Sequence, residues 1–248
     1  MLSLKQSSPR PCWLVGHRGA MGHAPENTFA SFELARKMGA EFVECDVHLS
    51  KDKEVIVIHD ERAERTTSGA GLIKDLRLSQ IKKLDAGSWY SKKFKGEKVP
   101  ALKELLTWAF KHQLGVVIEI KNKPVRYPGL EKRLSEVIER ASMTSRVIAI
   151  SFDHSAVKRL KSINSGIATG ILYDKKMKDP VARAISMKAN ALFPRRNLVT
   201  RSVVEKAHMN GLAVATWTVN EPAEMKKLIA CKVDGIATNY PDRLSKIL

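Results

Sequence analysis

The sequence has few of the residues on which small cross-linked or metal-stapled folds depend. It contains three cysteines in 248 residues, Cys12, Cys45 and Cys231, with no C-x-x-C pair and no zinc-like spacing. This argues against a disulfide framework or a structural zinc site as the basis of the fold. A reducing compartment fits this cysteine usage best.

Long apolar runs are also missing. No stretch approaches the length of a membrane-spanning helix. The first 15 residues carry charges at Lys5 and Arg10 and prolines at 9 and 11, and they lack the apolar core of a signal peptide. We therefore expect a protein with no transmembrane segment and a cytoplasmic location.

Acidic residues are outnumbered, with 26 Asp and Glu against 43 Lys and Arg and a formal net charge of +17. Such a charge concentrates anionic partners near the surface, whether phosphates, lipid head groups or nucleic acid. The basic runs are spread along the chain, and a solvated basic surface explains each of them as simply. We expect weak attraction to anionic surfaces and no obligatory nucleic-acid partner; the oligomeric state stays open. The clearest basic runs are residues 92–95, 121–123 and 175–178.

What the sequence does contain is a regular alternation of short apolar runs and longer amphipathic stretches. At 248 residues and 44% hydrophobic residues, the chain can bury one large core. Alternating strand and helix units predict a parallel sheet, and eight strands predict closure into a (β/α)8 TIM barrel, an α/β fold. We expect a single domain over residues 1–248. The strands are predicted at residues 13–16, 42–49, 116–120, 147–151, 167–172, 191–193, 213–218 and 235–238.

Helices are predicted between these strands by roughly helical spacing of apolar residues. Residues 28–38 give the clearest pattern, with Asn27 placed as the N-cap. The other helices are predicted at residues 102–112, 130–141, 155–163, 181–187, 201–209 and 222–230.

One segment interrupts the rhythm after the second strand region. Residues 51–100 contain an extra strand pattern at 55–59, then Gly- and Lys-rich stretches, and are too long for an ordinary connection. A connection that follows a barrel strand lies at the C-terminal face, where active sites are built. We expect this insertion to cap that face.

Two carboxylates stand two residues apart on the second strand. Glu44 and Asp46 therefore project to the same face, while Cys45 packs outward. Burying two ionised carboxylates side by side is costly unless a cation or a shared proton compensates them, so a hard-metal site is a natural solution. Alternatively, these acids face solvent or pair with lysine.

A second strand carries Glu119 and Lys121 with the same alternation. Glu119 is the candidate third oxygen ligand. Lys121 is placed to hold a phosphoryl oxygen or, equally simply, to neutralise Glu119.

Two histidines end strand patterns and are followed by charged residues. His17 precedes Arg18, whose forked guanidinium suits phosphate, and His59 precedes Asp60, which either orients the ring or is a turn residue. Two histidines at strand ends can divide general-base and general-acid work near neutral pH. Trp217, at the end of a later strand, is either core or an apolar platform beside substrate.

These motifs together resemble the glycerophosphodiester phosphodiesterase family, whose fold is a phosphatidylinositol-phospholipase-C-like phosphodiesterase barrel. The resemblance covers nearly the whole chain in order and spacing. One departure is Phe193-Pro194 where the family commonly has His-Pro, with Arg195-Arg196 following. The matching pieces are His17-Arg18-Gly19, Pro25-Glu26-Asn27-Thr28, Glu44-Cys45-Asp46-Val47, His59-Asp60, Glu119-Ile120-Lys121, Trp217-Thr218-Val219-Asn220 and residues 234–239.

The resemblance implies that Glu44, Asp46 and Glu119 bind one divalent cation, Ca²⁺ or Mg²⁺, and that His17 and His59 perform acid–base catalysis. It implies phosphate contacts from Arg18 and Lys121. Glu26, Asn27 and Asp60 would support these groups from behind, and Trp217 would touch substrate. The expected substrate is a small glycerophosphodiester, and the expected products are sn-glycerol 3-phosphate and an alcohol.

Two alternatives remain at this point. A lysophospholipase D-type activity would use the same groups on a lysophospholipid, which keeps one acyl chain. A non-catalytic barrel that binds polyanions would account for the charge, although it would have no need of three carboxylates and two histidines.

Overall fold

A computed structural model describes residues 10–248, which form nine strands and nine helices. Eight parallel strands close into a barrel, because β1 pairs with both β9 and β2. This confirms the predicted (β/α)8 fold. The strands are β1 (Trp13–Gly16), β2 (Phe42–Leu49), β3 (Val55–Val57), β4 (Gly115–Ile120), β5 (Val147–Ser151), β6 (Ala168–Tyr173), β7 (Ala191–Pro194), β8 (Ala213–Thr216) and β9 (Gly235–Thr238).

Alternate residues of each barrel strand enter two different cores. One set, such as Val15, Val117 and Ile150, fills the barrel interior. The other set, such as Leu14 and Ile118, packs outward against the helices. This two-residue periodicity follows from strand geometry, and it places Cys45 outward as predicted.

The helices surround the barrel and follow the predicted order. They are α1 (Phe29–Lys37), α2 (Leu78–Ile81), α3 (Leu102–Lys111), α4 (Leu130–Arg140), α5 (His154–Ile163), α6 (Pro180–Ser186), α7 (Arg201–Met209), α8 (Pro222–Ala230) and α9 (Pro241–Ser245).

The N-cap of α1 differs from the prediction. Thr28, not Asn27, is the cap, and its hydroxyl accepts from the backbone N–H of Ser31 at 3.3 Å. Asn27 lies one residue earlier in a left-handed conformation with φ of 58°. Both residue types favour caps, so local sequence could not decide between them. The consequence is that the Asn27 side chain is free to reach the barrel.

The segment between β2 and α3 builds a small hydrophobic core of its own. Strand β3 folds back on β2 as an antiparallel partner, pairing Val57 with Val47. Two short 3-10 turns, at Ile73–Asp75 and Lys92–Phe94, and α2 follow. Buried members of this core are Ile56, Ile58, Ala63, Ile73, Ile81, Ala86 and Val99.

None of the helices in residues 10–248 combines the length and the apolar character needed to cross a bilayer. The predicted lack of a signal peptide concerns mainly residues 1–9, which lie outside the described range.

Candidate active site

The chemically active side chains gather where the first strands of the barrel end. Parallel strands bring their C-terminal ends to one rim, so residues far apart in sequence meet there. A cavity of about 150 Å³ opens at this rim. Seven predicted site residues line it: His17, Arg18, Glu44, His59, Glu119, Lys121 and Trp217.

Glu44, Asp46 and Glu119 lie close together, as predicted. Asp46 stands directly opposite Glu119 in the pairing of β2 with β4. One carboxylate oxygen from each residue lies within 4.8 Å of the others. Such oxygen ligands suit a hard divalent cation.

Burial shapes the charge of these acids unequally. Burial and repulsion from Asp46 raise the pKa of Glu44 well above its usual range. Burial likewise raises the pKa of Glu119 to about 7, although Lys121 opposes the shift. The pKa of Asp46 is lowered, because Lys121 and Arg18 outweigh its own burial.

Lys121 lies between two of the carboxylates. Its Nζ is 2.6 Å from Glu119 Oε1 and 3.0 Å from Asp46 Oδ1. Asp46 Oδ1 nevertheless accepts no well-aligned hydrogen bond from any described residue. The neutralising position considered for Lys121 is therefore present, and its contact with Asp46 Oδ1 is an ion pair rather than a well-aligned hydrogen bond.

The donor set fits a divalent cation by charge as well as by chemistry. When all five carboxylates here are ionised, as metal ligands are, they exceed the three cationic side chains that pair with them by two negative charges. Buried ionised groups are tolerated when they are paired or bind a metal. The carboxylates are Glu26, Glu44, Asp46, Asp60 and Glu119, and the cations are Arg18, Arg65 and Lys121.

Arg18 connects the carboxylates to the loop after β1. Its backbone N–H donates to Glu44 Oε2 at 2.8 Å, while its side chain contacts Asp46 at 3.2 Å and Glu26 at 2.8 Å. The residue has a left-handed φ of 50°. This turn places the Arg18 guanidinium in contact with both Asp46 and Glu26 and at the wall of the cavity.

Glu26 and Asn27 support the site from the start of α1. Asn27 Nδ2 donates to Asp46 Oδ2 at 2.9 Å. Glu26 is 5% exposed and accepts from Arg18 and from both terminal nitrogens of Arg65. Burial acts against the negative charge of Glu26, but Arg65 and Arg18 hold its pKa below the usual value.

The two histidines have different partners behind them. His17 Nδ1 lies 2.7 Å from the Asn239 amide oxygen, so the ring donates there and leaves Nε2 free. Burial and the nearby Arg18 lower the pKa of His17 to about 4. His17 Nε2 is 4.0 Å from Glu44 Oε2.

His59 reaches the same cavity by another route. The β2–β3 hairpin reverses the chain, and Ile58 N–H donates to the Asp46 carbonyl at 3.0 Å, so the next residue lies beside the acids. His59 Nδ1 is 2.6 Å from Asp60 Oδ1, and Arg65 Nε donates to Asp60 Oδ2 at 2.5 Å. Despite burial, Arg65 and His59 lower the pKa of Asp60 to about 2.

The other side of the cavity is apolar. Ile150, Leu172, Phe193 and Trp217 line it, with Phe152 at its edge. Trp217 Nε1 donates to the Phe193 carbonyl at 2.9 Å, and its ring meets Phe152 edge-on at 5.5 Å. Trp217 is thus half-buried and also faces the cavity, and its contact with substrate stays a prediction.

Sequence reasoning missed three residues that contact or line this site. Asn239 ends the matching piece at residues 234–239, and its place after the last strand of a closing barrel indicates a position near the open face. Arg65 belongs to residues 65–69, which also resemble the family pattern, and Phe152 directly follows the strand predicted at residues 147–151, so both positions carried a signal of the same kind. His48 does not reach the cavity; it is buried between Tyr127 OH at 2.8 Å and the His59 carbonyl at 2.9 Å, where it stabilises the hairpin.

Comparisons with known proteins agree with this geometry. A family model described as the glycerophosphoryl diester phosphodiesterase family matches residues 17–243. A glycerophosphodiester phosphodiesterase of Caldanaerobacter subterraneus is 38% identical over 235 residues, covering 95% of this chain and 97% of the relative. One from Bacillus subtilis is 36% identical over 258 residues, covering 97% and 87%.

Among solved structures, a phosphodiesterase of Oleispira antarctica in complex with the product sn-glycerol-3-phosphate is similar throughout. Its TM-score is 0.85 at 28% identity, covering 94% of this chain and 95% of that one.

Proposed function

Since this chain belongs to the glycerophosphoryl diester phosphodiesterase family, and is an enzyme that hydrolyses glycerophosphodiesters, we propose that it does so by metal-dependent, two-histidine chemistry. The products would be sn-glycerol 3-phosphate and an alcohol. The observation that supports this most is that both histidines share one cavity with Glu44, Glu119 and Lys121.

A phosphodiester is anionic, so its hydrolysis needs charge neutralisation, an activated hydroxyl and a protonated leaving group. A divalent cation, Ca²⁺ or Mg²⁺, bound by Glu44, Asp46 and Glu119 would supply Lewis-acid neutralisation of the phosphoryl oxygens. Arg18 and Lys121 lie at the same wall and would hold phosphoryl oxygens by charge-assisted hydrogen bonds.

The partners of the histidines favour a division of labour between them. His17 has a neutral amide behind it, so its free Nε2 is suited to accept a proton. Burial lowers the pKa of His59, and the Asp60 carboxylate behind the ring acts against this shift, which favours the protonated form and suits the ring to donate. In the proposed first step, the glycerol 2-hydroxyl loses its proton to His17 and attacks phosphorus. The alcohol leaves with a proton from His59.

The second step reverses these roles. A water molecule gives its proton to His59 and attacks the cyclic phosphate, while His17 returns its proton to the 2-hydroxyl oxygen. This restores both rings and completes sn-glycerol 3-phosphate.

Replacement of either histidine tests the assignment. His17→Ala and His59→Ala should each lower kcat on glycerophosphocholine by about 10²–10⁴-fold, the usual contribution of general acid–base catalysis. The matched control is His112→Gln, at the C-terminal end of α3 and away from the strand ends. Near-wild-type turnover by either alanine variant, with metal present, would overturn the proposal.

A lysophospholipase D-type activity is the second candidate, and the apolar wall favours it. Ile150, Leu172, Phe193 and Trp217 offer surface that a small polar alcohol does not need but an acyl chain would cover. Turnover of lysophosphatidylcholine compared with glycerophosphocholine separates the two activities.

A further inference from the structure

We propose that the active-site face of the barrel docks on anionic phospholipid surfaces through residues 85–98, which we name the aromatic–lysine loop. This loop belongs to the segment after β3 and includes the 3-10 turn Lys92–Phe94. The inference goes beyond the catalytic proposal and does not rest on it, because binding to a surface needs none of the acids or histidines in the cavity.

The loop presents cations that the protein leaves without acidic partners. Lys92, Lys93 and Lys95 are exposed, and within residues 10–248 none of the three forms an ion pair. Most acids around the catalytic cavity are paired internally, so these charges are available to an external anion. A juxtaposed anionic lipid surface attracts each such lysine.

Aromatic rings stand among these lysines. Trp89 is 41% exposed, and its indole N–H already donates to the Ala86 carbonyl at 2.9 Å. Tyr90 packs edge-on against both Trp89 and Phe94, with ring centroids 5.7 Å apart in each pair. Exposed rings beside lysines are typical of surfaces that insert into the lipid head-group region.

The backbone of the loop is preorganised by hydrogen bonds and close packing within the loop. One Asp85 carboxylate accepts from the backbone N–H groups of Gly87, Ser88 and Gly96 at 2.7–2.9 Å. Gly87 passes so close to Phe94 that a Cβ at Gly87 would lie 1.9 Å from its carbonyl oxygen. A loop held in this way loses little conformational entropy on docking.

The loop lies at the rim that carries the active site. Glu97 Oε2 accepts from the Ala30 N–H at 3.3 Å, in the first turn of α1. Helix α1 begins after the loop that leaves β1, and that loop carries His17 and Arg18. The aromatic–lysine loop therefore borders the site.

The tertiary structure brings further basic residues to the same face. Lys175, Lys176 and Lys178 follow β6, while Lys123 and Arg126 follow β4, and all five are exposed. Each group comes directly after the C-terminal end of a barrel strand, so they share the rim of the cavity. Basic runs that are scattered in sequence thus converge on one face.

Most acids on this face have partners within the protein. Within the aromatic–lysine loop, Asp85 and Glu97 accept from backbone N–H groups. Asp153 and Asp179 are paired, with Arg159 and Lys206 respectively, and Glu224 pairs with Arg196. Asp174 is exposed beside the 175–178 run. Charge complementarity therefore selects an anionic surface as the partner of this face.

Vesicle binding with two charge-matched variants tests the orientation. The test variant carries Lys92→Gln, Lys93→Gln and Lys95→Gln. The control carries Lys111→Gln, Lys188→Gln and Lys232→Gln, three exposed lysines at the opposite end, which precede β4, β7 and β9. That end also exposes the apolar side chains of Phe110 and Met209. The control variant therefore tests whether vesicles bind to the end of the barrel opposite the active site.

Wild-type protein should cosediment with equimolar phosphatidylglycerol–phosphatidylcholine vesicles at low salt, and far less with phosphatidylcholine alone. Each lysine near the surface contributes roughly fivefold to affinity, so the test variant should bind about a hundredfold more weakly. The control variant should lose less than about fivefold, as expected for charges held away from the surface.

A second readout examines the aromatic part of the loop. Brominated lipids in the same vesicles should quench part of the tryptophan fluorescence of the wild type, and this fraction should disappear in Trp89→Ala. Trp13 and Trp108 remain as internal references, whereas Trp217 lines the cavity on the docking face and is replaced by Phe in both proteins that are compared.

Equal loss of vesicle binding in both triple variants would overturn the proposal, as would binding to duplex DNA with no binding to vesicles. Turnover of glycerophosphocholine, a soluble substrate, should be unchanged in both triple variants. If the wild-type protein does not hydrolyse glycerophosphocholine, the catalytic proposal is refuted. Vesicle binding is measured independently and decides the docking proposal.

Discussion

The two sides of the cavity are built on the same kind of strand end but carry opposite chemistry. Strands β1, β2 and β4 and the hairpin with β3 contribute charged groups, among them Arg18, Asp46 and Glu119. Strands β5 to β7 and the residue after β8 contribute apolar side chains, among them Leu172 and Trp217. The barrel thus places charged groups on one side of the cavity and an apolar surface on the other.

The charged side itself contains a contrast that bears on metal binding. Asp46 contacts Arg18 and Lys121, whereas in residues 10–248 the Glu44 carboxylate accepts one backbone N–H and has His17 Nε2 at 4.0 Å. The negative charge of Asp46 is therefore stabilised by neighbouring cations, whereas burial and Asp46 disfavour the charge on Glu44 and raise its pKa.

The largest expected effect is on stability, when Asp46 and Glu44 are each replaced by the uncharged amide. In the presence of EDTA, Asp46→Asn should lower the free energy of unfolding by about 3 kcal/mol, because Arg18 and Lys121 lose a buried counter-charge. Glu44→Gln should change it by less than about 1 kcal/mol, since burial already disfavours that charge. Urea denaturation followed by circular dichroism gives both values.

Adding Ca²⁺ or Mg²⁺ sharpens the same comparison. The cation should stabilise the wild type and leave Glu44→Gln nearly unchanged, because binding to the folded state alone raises stability. Equal losses of unfolding free energy in the two variants in EDTA would contradict the proposed difference between Asp46 and Glu44. Stabilisation of Glu44→Gln by the cation to the same extent as the wild type would contradict it too.

A smaller effect is expected on the apolar side. Trp217→Ala should lower kcat/KM for lysophosphatidylcholine about ten- to a hundredfold, as expected if about 100 Å² of apolar contact is lost. Glycerophosphocholine should be affected severalfold less. Steady-state kinetics on both substrates measures the ratio, and Phe110→Ala, an exposed helix position, is the control. Parallel losses on the two substrates would show that Trp217 does not discriminate between them.

The smallest effect concerns pH and a histidine beside the apolar side. Burial lowers the pKa of His154, whose Nε2 donates to the Leu172 carbonyl at 2.8 Å while Nδ1 accepts from Arg183. A lowered pKa means that the neutral ring stabilises the fold above the ordinary value of 6.5, and that this stability is lost as pH falls below it.

His154→Gln should therefore flatten the stability curve below pH 6.5. The difference should stay under about 1 kcal/mol, because the ring is only partly buried. Denaturation midpoints measured from neutral to mildly acidic pH give the slope. Curves that remain parallel for the wild type and the variant would exclude this contribution.

The positions of the site residues differ in how far local sequence could predict them. Strand alternation was enough to pair Glu44 with Asp46 and Glu119 with Lys121, because side-chain direction in a strand repeats every two residues. The Asn27 cap was wrong by one residue, since two adjacent cap-forming residues compete for that place. The contact of Asn27 with Asp46 depends on the backbone turn chosen there.

Other contacts depend on how the barrel closes. Asn239 and His17 are separated by 222 residues and meet only because β9 pairs with β1. Arg65 reaches Glu26 and Asp60 only through the fold of the segment after β3. No local periodicity encodes such pairs, which arise from packing.

The sequence by itself determined the alternation of strands and helices, the shared face of the carboxylates and the large positive charge, because these follow from local backbone geometry and composition. Tertiary structure alone decided which groups orient the histidines, that the cavity is polar on one side and apolar on the other, and that separate basic runs lie on one rim. The physical reason is that ring closure and packing join residues whose spacing along the chain carries no information about their distance in space.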